Sequence, residues 1–469
     1  MQFLRSLLFK SPIIFAAALA VLGPRAAHSE ARLLIEADTG KVLEAENATV
    51  PWYPASLSKL MTAYVTLEAV KEGRITLDTL LTVSPLAASQ SPSKMGLRPG
   101  TRLTVDNALK MMLVKSANDM AVVLAEGVGG SIDGFSAMMN QTAHQLGMTQ
   151  TSYVNPNGLP ADGQITSARD MAILARSFIK NLPEYEYYVH IPAIRFGKRV
   201  TQNFNKLIGR YPGADGFKTG FICASGYNLV ASATHDGRRL IAVVLGASSG
   251  TMRAVRAAQL LDRGFANNAL SWLRPSLGTV DQLQPVDESP PNLHDEVCSG
   301  KHHHAPSDED DALTASATTQ GSSSATGDGS NAVFLSSALQ APLAKPTDWL
   351  SAPPEPSEPI VVYTGPTRTG AALVAAVAAD SASQAAPAKH GKGKRSHAAA
   401  KKKPDAAAEP KAADASTKPE ARPAAVRHAA AKPKPATSAD ASAAKPAKPN
   451  KPKTAAKPKP KSTDAKPAG

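Results

Sequence analysis

The composition of the chain changes after about Trp272, and this change limits which part can form a folded domain. From Ala31 to Phe265 apolar residues recur at regular spacing, whereas Pro, Ser, Ala and Lys dominate the chain beyond about Trp272. A segment with few large apolar side chains cannot bury enough surface to offset the conformational entropy lost on folding. The composition therefore predicts a folded domain over residues 30–270, a low-complexity linker over 271–380 and a disordered Lys/Ala/Pro-rich tail over 381–469.

Two apolar patches interrupt the predicted linker, at Val333–Leu343 and Pro359–Thr369. The second patch contains the β-branched run Ile360–Val362, which is typical of a strand. For each patch, two alternatives stay open: a short strand, or a segment that docks on the domain. The triplet His302–His304 lies in the same linker, and we interpret it as an incidental run of histidines rather than a metal site. The sequence predicts no metal and no cofactor.

The first 29 residues are typical of an export signal. Arg5 and Lys10 provide a basic start, residues 13–22 form an apolar run, and Ala27-His28-Ser29 fits a small-x-small cleavage site. The apolar run is shorter than the ~20 residues that span a bilayer, so a membrane anchor is disfavoured. We expect an exported protein that acts in the periplasm or cell envelope.

Positive charge is concentrated in the tail. Residues 381–469 contain 21 Lys and Arg against 6 Asp and Glu, a net charge of +15. Because the whole chain carries +13, the remainder carries −2 and is close to neutral. We interpret the tail as a flexible polycation that binds anionic envelope polymers or lipid headgroups, with a solvated spacer as the alternative. No nucleic-acid partner is expected for an exported protein.

Only two cysteines are present, Cys223 and Cys298, so no disulfide framework holds the fold together. An oxidising compartment would permit one bridge between them. A buried Cys223 with a free Cys298 is equally compatible with the sequence, so their pairing stays open.

The order of predicted elements within the domain favours an α+β fold. Residues 33–43 are typical of a β-hairpin, and strand patterns return at Asn228–Ala233 and Leu240–Leu245. Apolar residues at helical spacing fill most of the region between these strands, and the same pattern recurs at Thr251–Phe265. This order fits a sheet assembled from both ends of the domain, with a helical lobe inserted.

The motif Ser56-Leu57-Ser58-Lys59 lies at the start of a predicted helix that follows Pro54. Side chains three positions apart lie on one face of a helix, so Ser56 and Lys59 are expected to meet. A serine hydroxyl needs an adjacent base to act as a nucleophile, and a lysine amine can be that base when its pKa is lowered. Taken alone, the pattern fits an N-cap serine and a solvated lysine better.

The motif Ser116-Ala117-Asn118 separates two predicted helices. Residues two apart on a helix point to different sides, so Ser116 and Asn118 can share a target only where the helix gives way to a turn. With such a turn, Ser116 can relay a proton, and Asn118 can bind Lys59 and a substrate amide. A serine that caps the following helix is the simpler alternative.

The motif Lys218-Thr219-Gly220 follows a glycine-containing turn and is predicted to lie on a strand. Lys218 and Gly220 would then face the same side. Lys218 and the Thr219 hydroxyl can bind a carboxylate, and Gly220 leaves room for a substrate backbone. An exposed lysine on an edge strand is the alternative.

In this order, the three motifs resemble those of serine D-alanyl-D-alanine carboxypeptidases, the low-molecular-mass penicillin-binding proteins of peptidase S11 type. The resemblance covers about residues 30–270 and includes Asn155-Pro156-Asn157-Gly158-Leu159 and Ser225-Gly226-Tyr227-Asn228. It implies a β-lactamase/transpeptidase-like fold, in which an antiparallel sheet is flanked by helices and joined to a helical lobe.

The resemblance also implies a reaction. Ser56 would attack the D-Ala-D-Ala amide of a peptidoglycan stem peptide, release D-alanine and leave an acyl-enzyme that water hydrolyses. β-Lactams would acylate Ser56 in the same way and inhibit the enzyme. The implied oxyanion donors are the backbone N–H groups of Ser56 and Phe221. The implied catalytic residues are Ser56, Lys59, Ser116 and Asn118, and the implied substrate-binding residues are Lys218, Thr219, Gly220 and Phe221.

Three other functions stay open. A class A β-lactamase shares the motifs but uses a glutamate in deacylation. Between the second and third motifs, Glu126, Glu184 and Glu186 lie in no Glu-x-x-x-Asn pattern, which disfavours that activity. A D,D-endopeptidase that cuts peptide cross-links is a close relative that the sequence separates poorly. The alternative of another class is a non-catalytic cationic protein that binds the envelope through its tail.

Overall fold

The computed structural model describes residues 30–266, 275–299, 350 and 352–385. The predicted export signal, the patch Val333–Leu343, the His302–His304 triplet and the tail beyond residue 385 lie outside the described residues.

Strands in the described residues form sheets of five, three and two strands. Their bounds are β1 (Ala31–Glu36), β2 (Val42–Glu46), β3 (Leu80–Thr82), β4 (Arg102–Thr104), β5 (Ala193–Phe196), β6 (Arg199–Gln202), β7 (Ala214–Ile222), β8 (Gly226–His235), β9 (Arg238–Ala247) and β10 (Ile360–Val362).

Helices cover both sides of the largest sheet and form the lobe beside it. Their bounds are α1 (Ser58–Lys71), α2 (Pro85–Ser89), α3 (Val105–Val114), α4 (Asn118–Gly129), α5 (Ile132–Gln145), α6 (Ala168–Asn181), α7 (Tyr187–His190), α8 (Gly250–Phe265), α9 (His294–Cys298) and α10 (Gly370–Ala385). Within the described ranges, no helix combines the length and apolar character needed to cross a bilayer.

The five-stranded sheet has the order β2-β1-β9-β8-β7, with antiparallel neighbours throughout. Alternate side chains of a strand point to opposite faces, and the buried residues divide accordingly. Leu33 and Val243 pack on the side of α1 and α6, whereas Leu34 and Val244 pack on the side of α8. The predicted α+β fold is confirmed, because the sheet joins strands from both ends of the domain around a helical insertion.

The helix α1 is buried on all sides, since every residue of Ser58–Leu67 is inaccessible to solvent or nearly so. Its sequence explains this position, because Lys59 is its only charged residue before Glu68. A helix that is apolar all round belongs in a core rather than on a surface. The start of α1 is consequently held from several directions.

Packing continues past the predicted domain boundary at residue 270. Lys41 forms a bridge with Thr279, and Cys223 forms a disulfide with Cys298. The bridge between the two cysteines, which the sequence left open, is therefore present in the structure. It fastens the segment 275–299 to the β7–β8 connection.

A second segment returns to the domain after the undescribed linker residues. The strand β10 pairs in parallel with β5, and the buried Tyr363 donates its backbone N–H to Asn107 Oδ1 at 3.2 Å. The patch Pro359–Thr369 thus contains a strand and contacts the helical lobe. The helix α10 follows and crosses the boundary that composition placed between residues 380 and 381.

Candidate active site

Ser56 lies in the 3-10 turn Ala55–Leu57, directly before α1. The main sheet holds the chain just ahead of this turn through Asn228 on β8. The Asn228 side chain donates to the Tyr53 carbonyl at 2.9 Å and accepts from the Gly246 nitrogen at 3.0 Å. Ser56 itself is half-buried. Both the sheet and the central helix therefore fix the position of the candidate nucleophile.

Lys59 lies one helical turn beyond Ser56 and has no exposed surface. Its Nζ is 2.8 Å from Ser56 Oγ, 2.7 Å from Asn118 Oδ1 and 2.7 Å from the Asn157 carbonyl oxygen. The two asparagine oxygens can only accept hydrogen bonds, so they engage two N–H groups of Lys59. The contact with Ser56 can run in either direction, so a neutral Lys59 would direct its lone pair at the serine proton. The alternative of a solvated lysine is wrong.

Ser116 and Asn118 lie where α3 gives way to α4, as predicted. Ser116 has a φ of 59°, in the left-handed region that few non-glycine residues adopt. Ala117 is the N-cap of α4 and makes no side-chain capping bond, so Ser116 is not a capping serine. Asn118 turns its oxygen toward Lys59, and its Nδ2 donates to the Ser91 carbonyl at 3.0 Å, which fixes this orientation.

Lys218 lies on β7 and is 1% exposed. Its Nζ donates to Ser116 Oγ at 3.0 Å and to the Thr219 carbonyl at 2.9 Å. The strand is at the edge of its sheet, but Lys218 is buried against the lobe, so the alternative of an exposed lysine is wrong. The three motifs converge, because Lys59 joins the first to the second and Lys218 joins the second to the third.

Gly220 lies against the turn that carries the candidate nucleophile. A Cβ at Gly220 would be 3.1 Å from the backbone nitrogens of Ser56 and Leu57. The absence of a side chain at Gly220 thus makes room for the protein's own backbone at this turn, and its role beside a substrate backbone stays a prediction. The next residue, Phe221, stacks its ring on Tyr227 with 4.2 Å between centroids.

The family model described as D-alanyl-D-alanine carboxypeptidase, peptidase S11, matches residues 18–249. The D-alanyl-D-alanine carboxypeptidase DacB2 of Mycobacterium tuberculosis is 33% identical over 246 residues, which are 50% of this chain and 82% of that protein. This chain belongs to the D-alanyl-D-alanine carboxypeptidase family. The family resemblance predicted from the three motifs is confirmed.

The relatives also show how much of the family's architecture the chain shares. The D-alanyl-D-alanine carboxypeptidase DacC of Escherichia coli is 39% identical over 263 residues, which are 54% of this chain and 65% of that protein. The chain thus spans less than two thirds of the length of DacC. The crystal structure of penicillin binding protein 5 from Haemophilus influenzae is similar with a TM-score of 0.50 and 36% identity, covering 52% of this chain and 73% of that one. The predicted β-lactamase/transpeptidase-like fold is confirmed.

Two residues of this carboxypeptidase-family site had no role assigned from the sequence. Asn157 contributes its backbone carbonyl, which a motif of side-chain types cannot reveal. Arg253 on α8 is 2% exposed, and its guanidinium lies 3.4 Å from the Gly220 carbonyl oxygen. A signal for Arg253 existed, since it shares a helical stripe with the buried residues Ala257 and Leu260. A charged residue within an apolar stripe indicates a buried polar role.

Besides the Lys59 amine, the site contains two buried basic side chains, on Lys218 and Arg253. Charges removed from water act more strongly on a bound group than charges on the surface. Such a site favours an anionic ligand and stabilises negative charge that develops on an oxygen atom. The arrangement of a serine, an adjacent amine and these cations is suited to acyl transfer from a substrate that carries a carboxylate.

Proposed function

We propose that this protein is a serine D,D-carboxypeptidase that removes the terminal D-alanine from peptidoglycan stem peptides through an acyl-enzyme on Ser56. The observation that carries the proposal is the contact of Lys59 Nζ with Ser56 Oγ at 2.8 Å. A serine with a base in hydrogen-bond reach is the arrangement that nucleophilic catalysis requires. Membership of the D-alanyl-D-alanine carboxypeptidase family supports the same reaction.

Acylation begins when neutral Lys59 takes the Ser56 proton and Oγ attacks the carbonyl of the penultimate D-alanine. The backbone N–H groups of Ser56 and Phe221 are the proposed donors to the oxyanion. Loss of one such donor typically raises the activation free energy by about 3 kcal/mol. Ser116 relays the proton from Lys59 to the leaving nitrogen. The C–N bond then breaks, and D-alanine leaves with the protonated amine.

Deacylation uses the same groups in reverse. A water molecule gives a proton to Lys59 and attacks the ester carbonyl, and Ser56 Oγ recovers a proton as the C–O bond breaks. The loop Asn155–Gln164 supplies the Asn157 carbonyl to Lys59 and contains no glutamate. That composition gives further support to a carboxypeptidase over a class A β-lactamase.

The terminal carboxylate of the substrate is assigned to Lys218, the Thr219 hydroxyl and Arg253. Lys218 and Arg253 are both buried, and the Arg253 guanidinium approaches the Gly220 carbonyl next to Thr219. A carboxylate at the end of the peptide thus has two cations and a hydroxyl close to the strand β7. The leaving D-alanine of a stem peptide supplies this carboxylate, and the preference for a carboxypeptidase over a D,D-endopeptidase is supported by family membership.

The proposal is tested by covalent labelling and by product release. The protein is incubated with fluorescent penicillin, and a stable adduct is expected in the wild type and lost in Ser56→Ala. The exposed Ser89 provides the matched control, because Ser89→Ala should label normally. D-Alanine release from a D-Ala-D-Ala peptide, without cleavage of a cross-linked muropeptide, identifies the carboxypeptidase. Cleavage of the cross-linked substrate alone would instead identify the endopeptidase.

We propose that the protein is exported by residues 1–29 and held near anionic envelope polymers or lipid headgroups by its basic tail. The net charge of +15 over residues 381–469 supports this role. Deletion of residues 386–469, which spares α10, should lower salt-sensitive retention on isolated envelopes. Unchanged retention would favour the solvated spacer.

A further inference from the structure

The hairpin formed by β5 and β6 lies in a basic stretch of the domain that contains no acidic residue. Residues 187–214 include five Lys and Arg and no Asp or Glu, a net charge of +5. Because residues 1–380 carry −2 in total, the other residues of that region carry −7. The positive charge is therefore local to this stretch, and the proposed acyl transfer makes no use of it.

A two-residue turn fixes the tip of the hairpin. Gly197 has a φ of +58°, which glycine adopts without strain, and Gly197-Lys198 joins Phe196 of β5 to Arg199 of β6. The helix α10 supports the turn, because Gln384 Nε2 donates to the Phe196 carbonyl at 3.2 Å. A ligand that binds the tip therefore meets an ordered backbone and loses little free energy to ordering it.

Three exposed cations surround the tip, on Arg195, Lys198 and Arg199. Their side chains make no hydrogen bond or ion pair with any other residue that the structure describes. Most cations on the surface of this domain with a nearby acid are paired, as Arg263 is with Glu44. The three cations of the hairpin tip are consequently available to an anionic partner.

The acids of the neighbouring segment do not neutralise the tip. Glu355 and Glu358 precede β10, and β10 runs parallel to β5, so both acids lie toward the end of β5 that is farther from the turn. Asp380 on α10 is buried, and its two oxygens accept hydrogen bonds from the nitrogen and the hydroxyl of Thr364. The charge of the tip is thus left to a ligand.

The register of the hairpin indicates the shape of this ligand. Arg195 pairs with Val200, and Phe196 pairs with Arg199. Neighbouring strand residues point to opposite faces, so the two arginines project from opposite faces of the hairpin, with Lys198 in the turn between them. A flat lipid surface along one face reaches only one of the arginines, whereas a linear polymer can pass round the tip and contact both.

The two guanidinium groups indicate the chemistry of the ligand. Arginine binds phosphate through two parallel N–H···O bonds, which makes it the preferred partner of phosphate groups. We propose that the tip of the β5–β6 hairpin binds the phosphate groups of a linear anionic polymer through Arg195, Lys198 and Arg199. This site lies in the folded domain and is additional to the retention proposed for the basic tail.

The test measures the affinity of the full chain for inorganic polyphosphate at a series of salt concentrations. Arg195→Gln/Lys198→Gln/Arg199→Gln should weaken binding about tenfold or more at low salt, since each cation beside an anionic surface contributes to binding. The slope of log affinity against log salt should also become shallower by about two, because three fewer phosphate contacts release fewer counterions.

A matched variant controls for net charge. Lys41→Gln/Arg98→Gln/Lys180→Gln removes the same charge from three exposed positions on separate elements. This control should bind polyphosphate within about twofold of the wild type, with the wild-type salt slope. Thermal unfolding should be the same for both triple variants and the wild type, since all six side chains are exposed.

Two results would overturn the assignment. Equal loss of polyphosphate affinity in the two triple variants would show that binding follows net charge and not the hairpin. Vesicles that contain phosphatidylglycerol test the other source of phosphate, and the two triple variants should bind them equally. If the hairpin variant alone loses vesicle binding, the partner is a lipid surface and the polymer assignment is wrong. Neither result depends on whether the protein is a carboxypeptidase.

Discussion

Lys218 Nζ donates a hydrogen bond to Ser116 Oγ at 3.0 Å, although the two residues are 102 positions apart in the chain. Lys218 belongs to an edge strand of the sheet, and Ser116 to the break between two helices of the lobe. This bond spans the junction of the two layers at the candidate active site. The positive charge of Lys218 is thereby placed on the hydroxyl that we propose as the proton relay.

Replacement of Ser116 by alanine should slow acylation without unfolding the protein. The variant loses the relay to the leaving nitrogen, and proton transfer by a positioned side chain typically contributes 10²–10⁴-fold to rate. Acylation by fluorescent penicillin, followed over time, measures the effect, and Ser89→Ala is the control. A Ser116→Ala rate within a few-fold of the wild type would exclude Ser116 as the relay.

Replacement of Gly158 by alanine should displace the Ser56 turn. Gly158 has a φ of +82°, and a Cβ there would lie 1.7 Å from the Ala55 carbonyl oxygen, so the backbone must move. A displacement of about 1 Å at a reacting group can lower the rate about 10²-fold. Gly147 has a similar φ of +77° with no atom close to its Cβ position. Gly147→Ala should therefore cost about 1–2 kcal/mol of stability and leave penicillin acylation unchanged.

The predictable part of the site is the part that local sequence determines. Ser56 and Lys59 share a helix face through their spacing alone, and the break at Ser116 follows from polar residues between two apolar helices. The motifs also predicted the contact of Asn118 with Lys59, but two other contacts across long sequence separations could not be predicted. The Asn157 carbonyl reaches Lys59 through backbone geometry, and Gly220 contacts the Ser56 turn because of tertiary packing. Neither contact leaves a pattern of residue types in the chain.

Reduction of the disulfide between Cys223 and Cys298 should destabilise the protein. The bridge closes a loop of 75 residues, and a loop of this length corresponds to about 4 kcal/mol of chain entropy in the unfolded state. Urea unfolding of the wild type with reducing agent should match that of the Cys223→Ser/Cys298→Ser double variant without it. If the free energy of unfolding is the same with and without the bridge, the segment 275–299 does not contribute to the cooperative unit.

Acidification should destabilise the protein through His190. Burial lowers the pKa of His190, and the nearby Arg239 lowers it further, against the opposing effect of Asp215 and Glu186. The unfolded chain therefore binds a proton more readily than the native state. The contribution of His190 to the free energy of unfolding is fully present above about pH 6.5 and is lost as pH falls through the lower native pKa. Relative to His190→Gln, the wild type should lose up to about 1.4 kcal/mol per pH unit in this window. Parallel stability curves of the two proteins from pH 7 to 5 would contradict this prediction.

Replacement of Asp380 by alanine should release the segment 352–385 from the domain. Asp380 is buried, and it accepts hydrogen bonds from the Thr364 nitrogen at 2.9 Å and from the Thr364 hydroxyl at 2.7 Å. Loss of this carboxylate leaves the Thr364 donors without their acceptor, which costs about 1–3 kcal/mol when such groups are buried. Hydrogen exchange of β10 should accelerate in Asp380→Ala and not in Ser383→Ala, whose hydroxyl only donates to the Asp380 carbonyl. Because β10 pairs with β5 and not with the five-stranded sheet, penicillin acylation should persist in both variants.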